Sequence, residues 1–204
     1  MDRKAEPELM LTKNQVDSYS DADFSEGEIK FIQVIKNYLK KKNIVLTHND
    51  LIVDLGCGPG NISERLAIEW PNTSIIGIDG SEEMIQKANF RKNSKEYSLV
   101  NLSYLCKDIK NIRLNEISKK KKINLLVSNS LIHHLTHLSE FFNCIISLSN
   151  RETLNFHKDL IRPINEKTAL DLKAECSLNH NETLTNDYYA SLKASYNVEE
   201  MKNF

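Results

Sequence analysis

The hydrophobic pattern of the chain changes period once, shortly before residue 50. Between residues 28 and 42 apolar side chains recur at helical spacing with lysines opposite, which predicts an amphipathic helix. Beyond it, short apolar runs alternate with helical stretches, and the runs predicted to be strands are 51–55, 74–79, 102–106, 123–128 and 153–160. Because the connections are short, the strands form parallel βαβ units. The sequence therefore predicts a doubly wound, mostly parallel α/β sheet with helices on both faces.

Composition shifts along the chain predict three segments. Residues 1–27 are polar and turn-rich and are expected to form a lid, while residues 28–161 carry the alternating pattern of the sheet domain. In residues 162–204 Pro163 breaks the pattern, and helices are expected at 167–176 and 187–195 with no convincing strand. This last segment is expected to cover a site in the sheet domain.

Charge and cysteine usage limit the classes of partner. The chain has 204 residues, Lys+Arg 27 against Asp+Glu 28 and a net charge of -1, which argues against nucleic-acid binding. It has no apolar run of the roughly 18 residues that a membrane helix needs, and its first residues lack an apolar signal-peptide core, so we expect a cytoplasmic protein without membrane contact. The four cysteines are far apart in sequence, so reduced thiols and no metal site are expected.

The six glycines are concentrated at one point. Gly56, Gly58 and Gly60 follow the first predicted strand and precede a helix, so a ligand can lie there against bare backbone and the helix N-terminus. Asp79 ends the next strand, where a carboxylate accepts hydrogen bonds from the hydroxyls of a ribose. Asp54, two residues before the first glycine, would repel a pyrophosphate but suits a ligand with an ammonium group. The predicted ligand is therefore a nucleoside with a positive charge.

The run D-L-G-C-G-P-G from Asp54 to Gly60, followed by the acidic strand end, resembles the first two motifs of class I S-adenosylmethionine-dependent methyltransferases, whose sheet is Rossmann-like. Cys106-Lys-Asp108-Ile109 is similar to the adenine-contact motif of that family. The run from Val127 to Leu135 is similar to the fourth-strand motif of small-molecule members, including quinone-biosynthesis methyltransferases. The resemblance implies methyl transfer from S-adenosylmethionine to a small-molecule acceptor, with S-adenosylhomocysteine as product.

The resemblance also implies which residues bind the cofactor. The glycine turn would line the methionine part of the cofactor, Asp54 would hold its ammonium group directly or through water, and Asp79 would bind its ribose. Residues after the third strand would bind the adenine, and residues after the fourth strand would face the reactive end of the cofactor. The implied set is Asp54, Gly56, Cys57, Gly58, Asp79, Gly80, Met84, Asp108, Ile109, Asn129 and Ser130. For Asp108 a surface-turn role, and for Met84 core packing, are the alternatives.

Candidate acceptor residues are fewer. His133 and His134 follow the fourth strand and are candidate bases, with packing or capping as the alternative, and His134 matches the family position better. Since adjacent residues on a helix point about 100° apart, at most one is expected to face the pocket. Tyr19 and Phe24, in the predicted lid, are candidate substrate contacts.

Two further functions and one departure from the family stay open. The chain could bind the cofactor without turnover, or methylate nucleic-acid bases, although Asn129 is followed by Ser-Leu-Ile and not by the Pro-Pro-aromatic run of base methyltransferases. Family members end with an antiparallel strand hairpin that is not evident here. Either the chain is shorter than the natural protein or the sheet has five strands with an exposed edge. The sequence does not predict the oligomeric state.

Overall fold

A computed structural model describes residues 1–6, 13–94, 98–118 and 121–203 of the chain. In this part of the chain five strands form one sheet: β1 Asp50–Leu55, β2 Ser74–Asp79, β3 Leu102–Cys106, β4 Lys122–Asn129 and β5 Leu154–Lys158. All four pairings are parallel, and the order is β3-β2-β1-β4-β5. The predicted α/β class with a doubly wound parallel sheet is therefore confirmed.

Nine α-helices lie among the described residues: α1 Lys13–Asp21, α2 Ser25–Lys41, α3 Asn61–Glu69, α4 Glu82–Asn93, α5 Leu114–Ile117, α6 Leu138–Leu148, α7 Glu166–Ser177, α8 Glu182–Ala194 and α9 Val198–Lys202. Short polar residues cap several of them. The Ser81 hydroxyl accepts from the Met84 N–H, and Asn165 and Asn181 cap α7 and α8 in the same way. None of these helices has the length and apolar character needed to cross a bilayer.

The three central strands are more deeply buried than the two edge strands. All six residues of β1 are buried, because it has a paired strand on each side and helices cover the sheet. On one face, Ile35 of α2 and Leu66 of α3 pack in one cluster with Ile52, Ile75 and Leu125, all fully buried. This packing holds the carboxyl ends of β1, β2 and β4 in register, and the polar residues discussed below follow those ends.

The chain divides into two compact units. The sheet unit consists of Asp23–Asn129 and Asn143–Lys158, and the terminal unit consists of Met1–Ala22, Ser130–Phe142 and Asp159–Phe204. The two ends of the chain belong to one compact unit together with residues 130–142, and the predicted division into segments 1–27, 28–161 and 162–204 stays a prediction.

Hydrogen bonds inside the terminal unit explain why its three stretches form one compact unit. The Arg3 guanidinium donates to the carbonyls of Ala194 at 2.6 Å and Leu135 at 2.7 Å, and the Tyr196 hydroxyl donates to the Leu135 carbonyl at 2.8 Å. Arg3 also lies 3.9 Å from the centre of the Tyr196 ring. Three stretches that are distant in sequence are thus tied together. That the terminal segments act as lid and cover stays a prediction.

Candidate functional site

The glycine turn joins β1 to α3 with a backbone that favours glycine at three positions. Gly56, Gly58 and Gly60 have φ of 64°, 53° and 90°, in the region that side chains rarely adopt. A Cβ built on Gly60 would lie 2.2 Å from the Tyr104 hydroxyl, so the body of the protein fills that side. A Cβ on Gly58 would meet no described atom within 4 Å. The backbone of Gly58 therefore borders open space, as a turn that cradles a ligand requires.

Asp79 ties this turn to the next strand. One carboxylate oxygen accepts from the Gly58 N–H at 2.9 Å and the other from the Ser81 N–H at 2.8 Å. Burial raises the pKa of Asp79, and these backbone donors oppose the increase. Since a carboxylate offers about four acceptor positions, the two bonds leave capacity for hydroxyl groups of a ligand.

Asp54 lies in the same unit but is closed off from solvent. Its side chain is 1% exposed, and the Ser63 hydroxyl donates to it at 2.6 Å. Burial, with a smaller contribution from the negative charge of Asp79, raises the pKa of Asp54 to about 7. The expected contact with an ammonium group stays a prediction. Because so little of Asp54 is exposed, a contact with the ammonium group through a water molecule is favoured over a direct one.

The remaining predicted cofactor residues of the sheet unit follow the strand ends. Cys57, Met84 and Ile109 are buried. Asp108 accepts from the Lys110 N–H at 2.9 Å and so caps the 3₁₀ turn Ile109–Asn111, which is the turn role weighed as its alternative. Gly80 follows Asp79 directly, and its backbone N–H makes a small contribution that lowers the pKa of that carboxyl. The structure thus brings these residues to the carboxyl ends of β1, β2 and β3, and their contacts with adenosine stay predictions.

Asn129 is the last residue of β4, and its side chain has a structural feature that the sequence does not predict. Its side-chain oxygen is buried and has no hydrogen-bond partner among the described residues. Because buried polar atoms nearly always have a partner, this acceptor is suited to a donor on a ligand. Ser130, the next residue, has φ of 58° and begins the second stretch of the terminal unit.

The two candidate substrate residues lie in different units. Tyr19 is in α1, within the terminal unit, and Phe24 immediately precedes α2, within the sheet unit. The helix α1 was not predicted, because only Val16 of its nine residues is buried and the segment lacks an apolar stripe. Contacts of Tyr19 and Phe24 with a substrate stay predictions.

The terminal unit contains its own cluster of titratable groups. His133 is 3% exposed, and its Nδ1 is hydrogen-bonded to the Asp159 carboxylate. Its Nε2 lies 3.7 Å from Glu6 Oε1, and His134 Nδ1 lies 3.2 Å from the same oxygen. Burial raises the pKa of Glu6, and the neighbouring His133 and the hydroxyl of Ser191 oppose the increase.

That at most one of the two histidines faces the acceptor pocket stays a prediction, but the α-helical spacing on which it was based is not observed. Residues Ile132–His134 form a 3₁₀ turn, not an α-helix, and the two ring centres are 4.3 Å apart with 37° between the planes. Both rings therefore approach the same carboxylate. Neither Glu6 nor Asp159 has a role predicted from the sequence, because Glu6 lies in a polar segment far from the histidines and no local signal marks either residue.

A glycine turn between β1 and α3, with a carboxylate at the end of β2, defines a nucleotide-binding α/β domain. A family model described as a methyltransferase domain matches residues 46–181, which is more than half of the chain. The chain belongs to this methyltransferase domain family, so the predicted resemblance is confirmed at that level. The closer likeness to quinone-biosynthesis enzymes stays a prediction.

The chain is similar to curated enzymes over part of its length. It is 40% identical over 53 residues to trans-aconitate 2-methyltransferase of Rhodopseudomonas palustris. The aligned stretch is 26% of this chain and 21% of that protein. It is 33% identical over 89 residues to malonyl-[acyl-carrier protein] O-methyltransferase of Bacillus cereus. Here the aligned stretch is 44% of this chain and 29% of that protein. The matches span less than a third of these relatives' own length.

Solved structures share the fold. Plantazolicin methyltransferase, in complex with a pentazolic desmethylPZN analog and SAH, matches with a TM-score of 0.70 at 20% identity, covering 94% of this chain and 66% of that one. A SAM-dependent methyltransferase from Aquifex aeolicus matches with a TM-score of 0.59 at 17% identity, covering 77% of each chain. At these identities the likeness shows the fold alone.

Proposed function

We propose that this domain binds S-adenosylmethionine at the glycine turn and catalyses transfer of its methyl group to a small-molecule acceptor. The observation that carries the proposal is the environment of Gly58. Its backbone borders open space, and its N–H donates a hydrogen bond to the Asp79 carboxylate. The bound sulfonium supplies an activated methyl group. Family membership and methyltransferase relatives support the same assignment.

The residues of the sheet unit have distinct parts in binding. Asp79 would accept hydrogen bonds from the ribose hydroxyls, while its bonds from Gly58 and Ser81 fix the orientation of its carboxylate. Asp54 would favour the ammonium group by its negative charge. Gly56, Cys57 and Gly58 would line the methionine part by backbone. This arrangement fixes the position of the cofactor before the acceptor arrives, which is most of what an in-line displacement requires.

Further residues would complete the cofactor site. Met84, which is buried at the start of α4, and Gly80 would lie beside the adenosine, and Asp108 and Ile109 would bind adenine. Asn129 and Ser130 would face the reactive end. The buried side-chain oxygen of Asn129, which lacks a partner among the described residues, supports this placement.

Proton transfer is needed only for some acceptors. A phenol or carbon acid requires a base, and His133 or His134 is the proposed one, with Asp159 holding the His133 ring in place. An acceptor that is already anionic, such as a carboxylate, requires none. The identity of the acceptor, and the cytoplasmic location, stay predictions.

Calorimetric binding of S-adenosylhomocysteine tests the cofactor part. The substitution Asp79→Ala should weaken binding by about 1.5 to 3 kcal/mol, because hydrogen bonds to a charged group are lost. Asp50→Asn is the matched control. Asp50 is also a buried aspartate but begins β1 at the opposite end of the sheet, where it accepts from the Thr47 N–H at 2.6 Å. Wild-type affinity in Asp79→Ala, or no binding to the wild type at micromolar ligand, contradicts the proposal.

A methyl-transfer assay tests turnover. The acceptor panel should include trans-aconitate and malonyl-acyl carrier protein, the substrates in the names of the relatives. Methylation that disappears in Asp79→Ala supports an enzyme. Cofactor binding without methylation of any acceptor would favour the binding module.

A further inference from the structure

Three side chains of the terminal unit point their ligand atoms at one place. Glu6, His133 and His134 each offer one carboxylate oxygen or imidazole nitrogen, and these atoms all lie within 4.8 Å of one another. The cluster is not an exposed acidic patch, since the three side chains are 11%, 3% and 16% exposed. The donor set, two imidazoles and one carboxylate, is one that divalent transition metals prefer.

The two distances from the Glu6 carboxylate to the imidazole nitrogens are compatible with one metal ion. Zinc–ligand bonds of about 2.0–2.2 Å place the ligand atoms of a regular tetrahedron roughly 3.3–3.6 Å apart. Glu6 Oε1 lies 3.2 Å from His134 Nδ1 and 3.7 Å from His133 Nε2. A shift of a few tenths of an ångström in the Glu6 carboxylate would therefore equalise the two distances.

The outer contacts orient the ligands. Asp159 bonds to His133 Nδ1, so that ring donates its proton there and presents Nε2 as a lone-pair donor. Asp159 is itself fixed by the Ile132 N–H at 2.6 Å and the Leu160 N–H at 2.7 Å. The Ser191 hydroxyl donates to Glu6 at 3.1 Å. A carboxylate behind a ligating histidine is the usual support of a metal-binding imidazole.

The Glu6 carboxylate is held in position by its own segment. Arg3 donates to the carbonyls of Leu135 and Ala194, and the Lys4 N–H donates to the Lys193 carbonyl at 3.0 Å. The segment that carries Glu6 is thus bound to the turn that carries both histidines. Less ordering is then needed when an ion binds.

We propose that Glu6, His133 and His134 bind one divalent transition-metal ion of the zinc type, with a coordination position left for water or another oxygen ligand. The spacing of the cysteines predicts no metal site, but the site proposed here uses no thiolate. The positive ion would offset the two carboxylates, Glu6 and Asp159, around the two neutral rings. The proposal does not rest on methyl transfer. It is the alternative to the free base proposed above, because an imidazole nitrogen that ligates the ion cannot also accept a proton.

The test is metal binding by the full chain after dialysis against a chelator. Titration with Zn²⁺ against a chromophoric chelator should give one site per chain, and elemental analysis after gel filtration should give the same stoichiometry. Co²⁺ should show the visible bands of tetrahedral coordination without thiolate charge transfer. A Cys106→Ser/Cys176→Ser variant, which removes the two thiols that are not buried, should bind equally well.

Substitutions assign the ligands. Asp159→Asn should weaken Zn²⁺ binding by about 10- to 100-fold, as outer-shell changes do, and Glu6→Gln and His134→Gln should weaken it further. His137→Gln, at an exposed histidine three residues away, is the matched control and should bind as the wild type does. Far-UV circular dichroism in chelator checks that each variant is folded.

The outcomes separate the proposal from an ion pair without metal. Zn²⁺ should also raise the melting temperature of the wild type but not of Glu6→Gln or His134→Gln. Absence of a stoichiometric site at micromolar Zn²⁺ overturns the proposal, and the cluster is then a network of ion pairs. Equal affinity in the wild type, Glu6→Gln and His134→Gln also overturns it, because the ion then binds elsewhere.

Discussion

Replacing Asp54 by asparagine should make the protein more stable at alkaline pH. The pKa of this buried carboxyl is about 7 in the folded protein against an ordinary value of 3.8. The folded state therefore holds a proton that the unfolded state releases between these values, and stability falls as the pH rises through this window. At about 1.4 kcal/mol per pH unit, the full cost of Asp54 above pH 7 is about 4 kcal/mol. Asparagine cannot ionise and avoids this cost.

The assay compares urea unfolding of the wild type and Asp54→Asn from pH 5 to pH 8. The difference in unfolding free energy should grow in favour of Asp54→Asn by about 3 kcal/mol over this range. Groups that do not interact with Asp54 titrate alike in both proteins, and the coupling between Asp54 and Asp79 is a smaller contribution than burial, so the difference reports mainly on Asp54. Ser63→Ala removes the hydroxyl that stabilises the carboxylate and should move the pH dependence to higher pH. Parallel curves for the wild type and Asp54→Asn would refute the reasoning.

The other predictions concern the glycine turn and the partly buried His157. Gly60→Ala should lower the unfolding free energy by about 1 to 3 kcal/mol, because its φ is 90° and the new Cβ meets the Tyr104 hydroxyl. Gly58→Ala meets no described atom within 4 Å, so in urea unfolding it should cost less than Gly60→Ala, yet calorimetry should show weakened binding of S-adenosylhomocysteine. The reverse order would contradict the assignment of the turn. Burial lowers the pKa of His157 from 6.5 to about 4, so stability should fall as the pH drops below 6.5, by up to about 3 kcal/mol. His157→Gln should remove this part of the acid sensitivity in urea unfolding between pH 4 and 7, and an unchanged slope would show that His157 is not responsible.

The sheet could be predicted because its signals are local. Each strand is a short run of buried apolar residues next to turn residues, as in Leu51 to Leu55 before Gly56, and such runs specify a strand without knowledge of their neighbours. The glycine turn and Asp79 could also be predicted, because each lies directly at the end of a predicted strand. The helix α1 was missed because Val16 alone is buried, which leaves no periodic stripe.

The histidine cluster could not be predicted because its members meet through tertiary structure. Glu6 is more than 120 positions from His133, and Asp159 is 26 positions away. Sequence spacing also suggested helical divergence of His133 and His134, whereas the tighter 3₁₀ turn brings their rings together. The lack of a partner for the Asn129 side-chain oxygen among the described residues likewise depends on what packs around it.

The assembly of the terminal unit from three separate stretches has a consequence for biosynthesis. Arg3 leaves the ribosome early, but its partners Leu135 and Ala194 follow 132 and 191 positions later. At about 5 to 20 residues per second, the delay is roughly 7 to 40 s. Strands β1 to β4 are synthesised within that interval and can begin to pair. The segment that carries Glu6 is thus synthesised well before the residues that hold it in place.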